Sequence, residues 1–372
     1  MSRIRIPIPV PPPGDRDYDV VVEPGALARL GELAAEAAPA HRYAIVADSV
    51  VAELYGAWAR AALEATGRRA DIFPFEAGES RKTVATWAAL TEALLAAGFG
   101  RDSAVVALGG GVTGDVAGFV AATYMRGVPV VQVPTSLLAM VDASVGGKTG
   151  VDTPQGKNLI GAFHHPRLVV IDPELLRTLP DGELRSGLAE AVKHGAIADA
   201  VYLDWIEANA ETLLDRDAEA LTSLVRRSVE IKASFVARDP LESGPRKALN
   251  FGHTIGHAIE AALDYGIPHG YAVAIGMVAE ARAGEAVGIT ETGTADRLRE
   301  VLLRLGLPTE PPPGLDPGRL AELMGRDKKT RAARPNFALI RCPGVVARGP
   351  DGAWAHPLEA AAVHAALAAA GR

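Results

Sequence analysis

His253 and His257 stand four residues apart in the run Arg246-Lys247-Ala248-Leu249-Asn250-Phe251-Gly252-His253-Thr254-Ile255-Gly256-His257-Ala258-Ile259-Glu260. A third imidazole, His269, follows across a loop marked by Gly266 and Pro268. On a helix, positions four apart share a face. The flanking Ala258, Ile259, Ala261, Ala262 and Leu263 are apolar, which sets these rings in a wall and not on a solvated face. Imidazoles so placed can ligate a transition metal or move protons, and a polar helix face is the bland alternative. Thr254 stands where the zinc-protease motif carries its glutamate base, so peptide hydrolysis by that route is excluded. Arg246 lies four residues before Asn250 and seven before His253, which on one helical face would aim it at a metal; pairing with Glu260 is the alternative.

Two further groups of residues could do chemistry. Gly109, Gly111 and Gly114 satisfy G-x-G-x-x-G between an apolar run at 104–108 and a helix-like run at 116–123. Such glycines let a backbone approach a phosphate at a helix N-terminus. The next apolar run, 130–133, ends in Pro134-Thr135-Ser136, without the acid that usually holds a dinucleotide ribose. Asp48, Glu79 and Lys82 are the candidates to hold it instead. The second group has Lys148 and Lys157 nine apart, each beside glycine, close to Asp142 and Asn158. Asp142 occupies the place of the first glycine of a Walker A loop, so this is an anion site of another kind or a surface loop. Farther on, Glu190 and Lys193 are three apart in a small, apolar helical segment, where a simple ion pair is the plain reading.

The elements that must position these residues fall into two patterns. Strand-like runs at 18–22, 43–47, 104–108, 130–133 and 168–171 alternate with helical spacing at 26–37, 51–66, 83–97 and 116–123. That alternation implies an α/β portion with a mainly parallel, Rossmann-like sheet covered on both faces. From residue 182 the spacing is helical: 182–196, 218–236, 272–287, 294–305 and an alanine-rich tail at 358–370. The expected organisation is an α/β domain over 1–180 and an all-α domain over 181–372, with proline-rich stretches at 11–13 and 311–313 as lead-in and linker. Of 372 residues 48% are hydrophobic and 22% charged, ample for two cores. The net charge of -7 argues against a nucleic-acid or anionic-membrane surface. Cys342 is the only cysteine, so no internal disulfide forms. Without a signal-peptide core or a bilayer-length apolar run, the cytoplasm is the expected location.

Read in order, GGGVTGD, ATYMRG, QVPTSLLA, VDASVGGKTG, GKNLIGAF, GLAEAVK, LNFGHTIGHAIE and the His269-Gly270 pair resemble the motifs of the 3-dehydroquinate synthases, within the sugar phosphate cyclases. The resemblance runs from Asp48 to Lys329. It implies an NAD- and divalent-metal-dependent lyase converting 3-deoxy-D-arabino-heptulosonate 7-phosphate to 3-dehydroquinate and phosphate in the shikimate pathway. The route would be transient oxidation, phosphate elimination, re-reduction and aldol closure. By matching position, Glu190, His253 and His269 resemble the family's metal ligands, for zinc or cobalt, and His257 its proton-handling histidine. Asp142, Lys148, Asn158, Lys193, Lys232, Arg246, Asn250 and the Lys328–Lys329 pair match substrate positions. Arg126 matches an arginine that reaches a partner's site, which implies a homodimer. Asp48, Glu79, Lys82, Gly110, Gly111, Val112, Thr113, Gly114, Asp115, Thr135, Ser136, Lys148, Lys157 and Thr178 match NAD positions. The chain departs from the family at Tyr271, where glutamate is usual, and at Ser136, where threonine is common. The other readings are a different sugar phosphate cyclase, a metal-dependent polyol or glycerol phosphate dehydrogenase, and a non-catalytic NAD-binding regulator.

Overall fold

A computed structural model describes residues 17–325, 335–349 and 351–369. Six strands form one all-parallel sheet: β1 (Asp19–Val22), β2 (Arg42–Asp48), β3 (Arg69–Phe75), β4 (Ser103–Gly109), β5 (Val130–Pro134) and β8 (Leu168–Ile171), in the spatial order β1-β8-β5-β4-β2-β3. Every residue of β4, β5 and β8 is buried, as a sheet covered on both faces requires. The covering helices are α1 (Leu30–Ala37), α2 (Ser49–Val51), α3 (Ala57–Glu64), α4 (Val84–Ala96) and α5 (Gly111–Thr123). After β2 the chain turns outward to β3 and then returns to the other side of β2 as β4. The carboxyl ends of β2 and β4 therefore flank the point where strand order reverses, the usual ligand crevice of such sheets.

A separate antiparallel hairpin, β6 (Lys148–Thr153) and β7 (Gly156–Phe163), leaves the sheet between β5 and β8. The paired lysines thus lie on a hairpin and not in a surface loop. Gly161 permits the close pairing, since a Cβ there would fall 2.2 Å from the Thr149 carbonyl.

From Asp181 the chain is predominantly helical: α6 (Asp181–Ala198), α7 (Ala200–Ala208), α8 (Ala210–Leu214), α9 (Ala218–Arg238), α10 (His253–Ala262), α11 (His269–Ala286), α12 (Thr294–Arg304), α13 (Pro317–Gly325) and α14 (Ala360–Ala369). The expectation of helices alone needs one correction. The two-residue strands β9 (Asn336–Phe337), β11 (Val345–Val346) and β12 (His356–Pro357), with the three-residue β10 (Ile340–Cys342), form two small antiparallel pairs near the end. They are too short to show an alternation in sequence.

Candidate active site

The three residues matched to metal ligands come from three helices, with the N-terminal ends of two meeting the middle of the third. Glu190 lies on α6, fully buried, and His253 and His269 are the first residues of α10 and α11. His253 Nε2 and His269 Nε2 approach Glu190 Oε1 at 3.4 and 3.3 Å. Glycines allow this convergence. A Cβ on Gly276 of α11 would fall 1.9 Å from the Gly252 carbonyl, and one on Gly270 would fall 2.0 Å from the Ser186 carbonyl of α6. Gly252 also adopts φ 80, a left-handed turn that starts α10 and suits glycine. The buried Glu280 carboxylate of α11 accepts the Gly252 and Ile255 N–H groups at 2.7 and 3.1 Å, satisfying donors at the start of α10.

Both histidines are oriented from behind. His253 Nδ1 faces the Phe251 carbonyl at 3.1 Å, and His269 Nδ1 faces Glu260 Oε2 at 3.3 Å. With each Nδ1–H donating there, each Nε2 faces Glu190 and is the nitrogen left to ligate a cation between them, the arrangement found behind metal-bound imidazoles. Both Glu190 oxygens are buried without a well-formed hydrogen bond. Burial alone would lower the His269 pKa, but the Glu190 and Glu260 carboxylates outweigh it and push it up to about 10. The cluster thus demands positive charge, and one carboxylate with two imidazoles suits a divalent cation with open positions for substrate oxygens. Two other groups of potential ligands overlap this one, His257 with Glu260 and His269, and Asp142 with Glu190 and His194. All three groups hold an ammonium partner, Lys193 on Glu190, Lys157 on Glu260 and Lys232 on Asp142.

Beside the triad lies a dense charged cluster. Lys193, 1% exposed, pairs with Glu190 one helical turn before it, and its Nζ is 3.8 Å from Asp142 Oδ1. Lys232 of α9 reaches Asp142 Oδ1 at 2.9 Å and also donates to the Asp142 carbonyl. Burial alone would push the Asp142 carboxyl up, but the Lys232 and Lys193 charges outweigh it and hold it well below the usual carboxylate range. Lys148 pairs with Glu242, which also accepts from Asn250 Nδ2 at 2.6 Å. His257 sits one turn after His253, its ring centroid 5.3 Å from that of His253 and 5.9 Å from that of His269.

The expectation that Arg246 shares a helical face with His253 fails. A 3-10 turn, Pro245–Asn250, ends before the left-handed Gly252, so the two residues are not on one helix. Arg246 is buried, donating to the Pro240 carbonyl at 2.7 Å and the Gly146 carbonyl at 3.1 Å, and it does not pair with Glu260. Its Nε is buried without a partner.

On the sheet side, α5 begins inside the glycine run itself, at Gly111, with Gly110 as an N-cap that offers no side chain. The first intrahelical bond runs from the Gly114 N–H to the Gly110 carbonyl at 3.0 Å, so the first-turn N–H groups of Val112 and Thr113 before it are open to an anion. Asp48 ends β2, caps α2 and accepts from Thr113 Oγ1 at 3.3 Å. Lys82 and Asp115 pair at 2.5 Å; a Cβ on Gly110 would lie 3.4 Å from Ser136 Oγ, and one on Gly114 2.9 Å from Gln132 Oε1. Thr135 is buried next to them. Lys157 pairs with Glu79 at 3.1 Å. Thr178 Oγ1 is 2.5 Å from the Tyr55 hydroxyl, at the end of the turn after β8. Asn158 stands on β7 with φ 53, its N–H on Asp152 Oδ1 at 2.7 Å. Arg126 occupies an exposed left-handed kink, φ 70, after α5 and is not part of the charged cluster. Lys328 and Lys329 lie outside the described residues. Tyr271 leaves α11 unbroken and packs half-buried against the core.

Sequence reasoning missed Glu242 and His194 as site residues, and it met Glu260 only as the end of a motif and as an alternative partner for Arg246. Glu260 follows His253 by seven, so helical spacing could have found it. Glu242 is 94 residues from Lys148, and no local pattern signals it.

Residues 72–186 match the family described as 3-dehydroquinate synthase N-terminal, and residues 187–330 match 3-dehydroquinate synthase C-terminal. A 3-dehydroquinate synthase of Xanthomonas axonopodis pv. citri (strain 306) is 49% identical over 356 residues, covering 93% of this chain and 95% of its own. A solved structure of 2-epi-5-epi-valiolone synthase from Streptomyces hygroscopicus subsp. jinggangensis 5008, with NAD+ and Zn2+ bound, has a TM-score of 0.87 at 30% identity, covering 98% of this chain and 99% of that one. A 2-deoxy-scyllo-inosose synthase complexed with carbaglucose-6-phosphate, NAD+ and Co2+ has a TM-score of 0.86 at 26% identity, covering 96% and 98%. With both family models aligned in order and near-full-length identity of this extent, the chain belongs to the 3-dehydroquinate synthase family.

Proposed function

We infer that this protein is an NAD- and divalent-metal-dependent lyase that converts 3-deoxy-D-arabino-heptulosonate 7-phosphate to 3-dehydroquinate and phosphate, a step toward chorismate and the aromatic amino acids. The observation that carries the reading is the Glu190–His253–His269 triad set beside the Lys193–Asp142–Lys232 cluster. The site is read as lying between the α/β portion, residues 1–180, and the helical portion, residues 181–372. Glu190, His253 and His269 would hold zinc or cobalt. Asp48, Glu79, Lys82, Gly110 to Asp115, Thr135, Ser136, Lys148, Lys157 and Thr178 would hold NAD. The metal, when bound, supplies Lewis-acid polarisation of a substrate oxygen. NAD, when bound, supplies reversible acceptance of a hydride.

The chain's own residues do the rest. The substrate is anionic at both ends, as a carboxylate and a phosphate, so it needs fixed cations although the chain is acidic overall. Lys148, Lys193, Lys232 and Arg246 supply them, with Lys328 and Lys329. Asp142, kept ionised, holds the Lys232 and Lys193 ammonium groups in register. Asn158 and Asn250 offer amide donors and acceptors to hydroxyl groups. His257 is the group placed to move a proton near the metal ligands. Arg126, exposed on its kink, would complete the site of a second copy in a homodimer. The protein would work in the cytoplasm, and among the described residues no helix is long and apolar enough to cross a membrane.

The structural likeness to other cyclases keeps a second reading open to test, a cyclase acting on a sugar phosphate without a carboxylate. The test is inorganic phosphate release from the heptulosonate phosphate and from sedoheptulose 7-phosphate, with NAD and zinc or cobalt supplied. We expect the heptulosonate to be turned over and sedoheptulose 7-phosphate to be a poor substrate. The reverse order would move the protein to the second reading.

A further inference from the structure

Glu260 orients His269 from behind, and it has a second partner whose consequence lies beyond the metal triad. Its side chain is 3% exposed, between two helices and the hairpin. One oxygen faces His269 Nδ1 at 3.3 Å, and the other faces Lys157 Nζ at 3.3 Å. Lys157 in turn meets Glu79 at 3.1 Å and lies 4.3 Å from the centre of the Tyr265 ring. A single buried carboxylate thus serves an imidazole on the metal side and an ammonium on the sheet side. The chain of contacts runs unbroken from Glu79 through Lys157 and Glu260 to His269 and Glu190.

The two partners pull in opposite directions. A carboxylate on Nδ1 raises the basicity of the opposite ring nitrogen and fixes the ring, which strengthens metal ligation. An ammonium on the same carboxylate draws its charge away, and it also repels a cation held at Nε2. An anion that draws on Lys157 therefore releases Glu260 toward His269. We propose that Glu260 is a positioning residue which, balanced against Lys157, makes the divalent cation and the anionic dinucleotide bind cooperatively. This rests on the reading of Lys157 as a dinucleotide contact and of the triad as the metal site.

The experiment titrates the metal-stripped full-length chain with Zn2+, and separately with Co2+, in the absence and presence of saturating NAD. Each ligand should tighten the other by the same factor, about fivefold or more. Glu260→Gln should loosen metal binding about 10- to 100-fold, alter the visible absorption of bound Co2+, and bring the coupling factor to one. Lys157→Met should act oppositely on the metal: in the absence of NAD, the cation binds more tightly than to the unmodified chain, and NAD no longer changes its affinity. A bridge that only latches the two halves together would weaken metal binding in both variants. Should Glu260→Gln fail to fold, judged by its circular dichroism and melting, Lys157→Met alone decides by the sign of its effect. Unchanged metal affinity in Glu260→Gln, or looser binding in Lys157→Met, would overturn the inference. So would binding of both ligands by the unmodified chain without coupling. If the unmodified chain bound neither NAD nor metal, the proposed function would fall first and take this inference with it.

Discussion

Removing the His253 imidazole leaves a carboxylate and one ring facing each other, too few ligands to close a site in competition with water. We expect His253→Ala to lose metal and activity together, measured by metal analysis of the purified variant; full occupancy would move the metal to the His257–Glu260–His269 group. Lys232 gives a pH dependence with a defined sign. Burial is the largest influence on it and pulls its pKa down to about 8, although Asp142 works against that. On the proposed function its ammonium would hold anionic substrate below that pH and be lost above it, so kcat/KM should fall as pH rises through about 8. Stability runs the other way: between about 8 and the ordinary lysine value the folded state binds fewer protons than the unfolded, so this group adds stability with rising pH. Lys232→Arg keeps its charge, and the fall should move upward in a kcat/KM profile; a profile that does not move assigns the fall to another group. The histidine cluster was legible in one short motif, but Glu190 joined it only through the family resemblance, because spacing alone read it as an ion pair with Lys193. Arg246 was misjudged because a heptad count assumes one helix, and Gly252 breaks it.

The helices that carry these side chains depend on glycine more than on large apolar residues. α10 and α11 touch backbone to backbone where Gly276 meets the Gly252 carbonyl. Gly276→Ala would push a methyl group into that carbonyl, and nothing flexible can give way. Overpacking of this kind costs about 1–3 kcal/mol. It would also move His253 relative to Glu190, so we expect a lower melting temperature and weaker Zn2+ binding in the same variant. Wild-type melting behaviour would mean that the helices relax apart without cost. The parallel sheet was readable from its continuous apolar runs, such as 104–108 and 168–171, since strands buried on both faces leave no other pattern. Two elements were not. β3 is mostly half-exposed and contains Pro74, and β6–β7 is polar and glycine-rich with an outward-facing second strand. Their pairing comes from the sheet edge and from the carbonyl contacts around Gly150 and Gly161, which are tertiary facts.

At the scale of the molecule, a parallel sheet with a glycine-started helix faces a helical portion that presents the metal ligands, and Lys157, Lys148 and Lys232 tie the two across their shared boundary. Dehydrogenases use dinucleotide and metal as well, so the plan alone does not decide whether the cofactor is consumed. Redox arithmetic does. The heptulosonate phosphate and the sum of 3-dehydroquinate and phosphate stand at the same oxidation level, so any hydride taken up must be returned before product leaves. With NAD at a small fraction of the substrate concentration, product should therefore form over many turnovers per NAD. Absorbance of NADH should stay flat while phosphate accumulates. A polyol or glycerol phosphate dehydrogenase on this fold would instead stop when NAD runs out, with one NADH for each product. The measurement is a simultaneous record of phosphate release and NADH absorbance at limiting NAD. Growth of NADH in step with product would replace the lyase by an oxidoreductase, while leaving the metal triad and its supporting glycines as they stand.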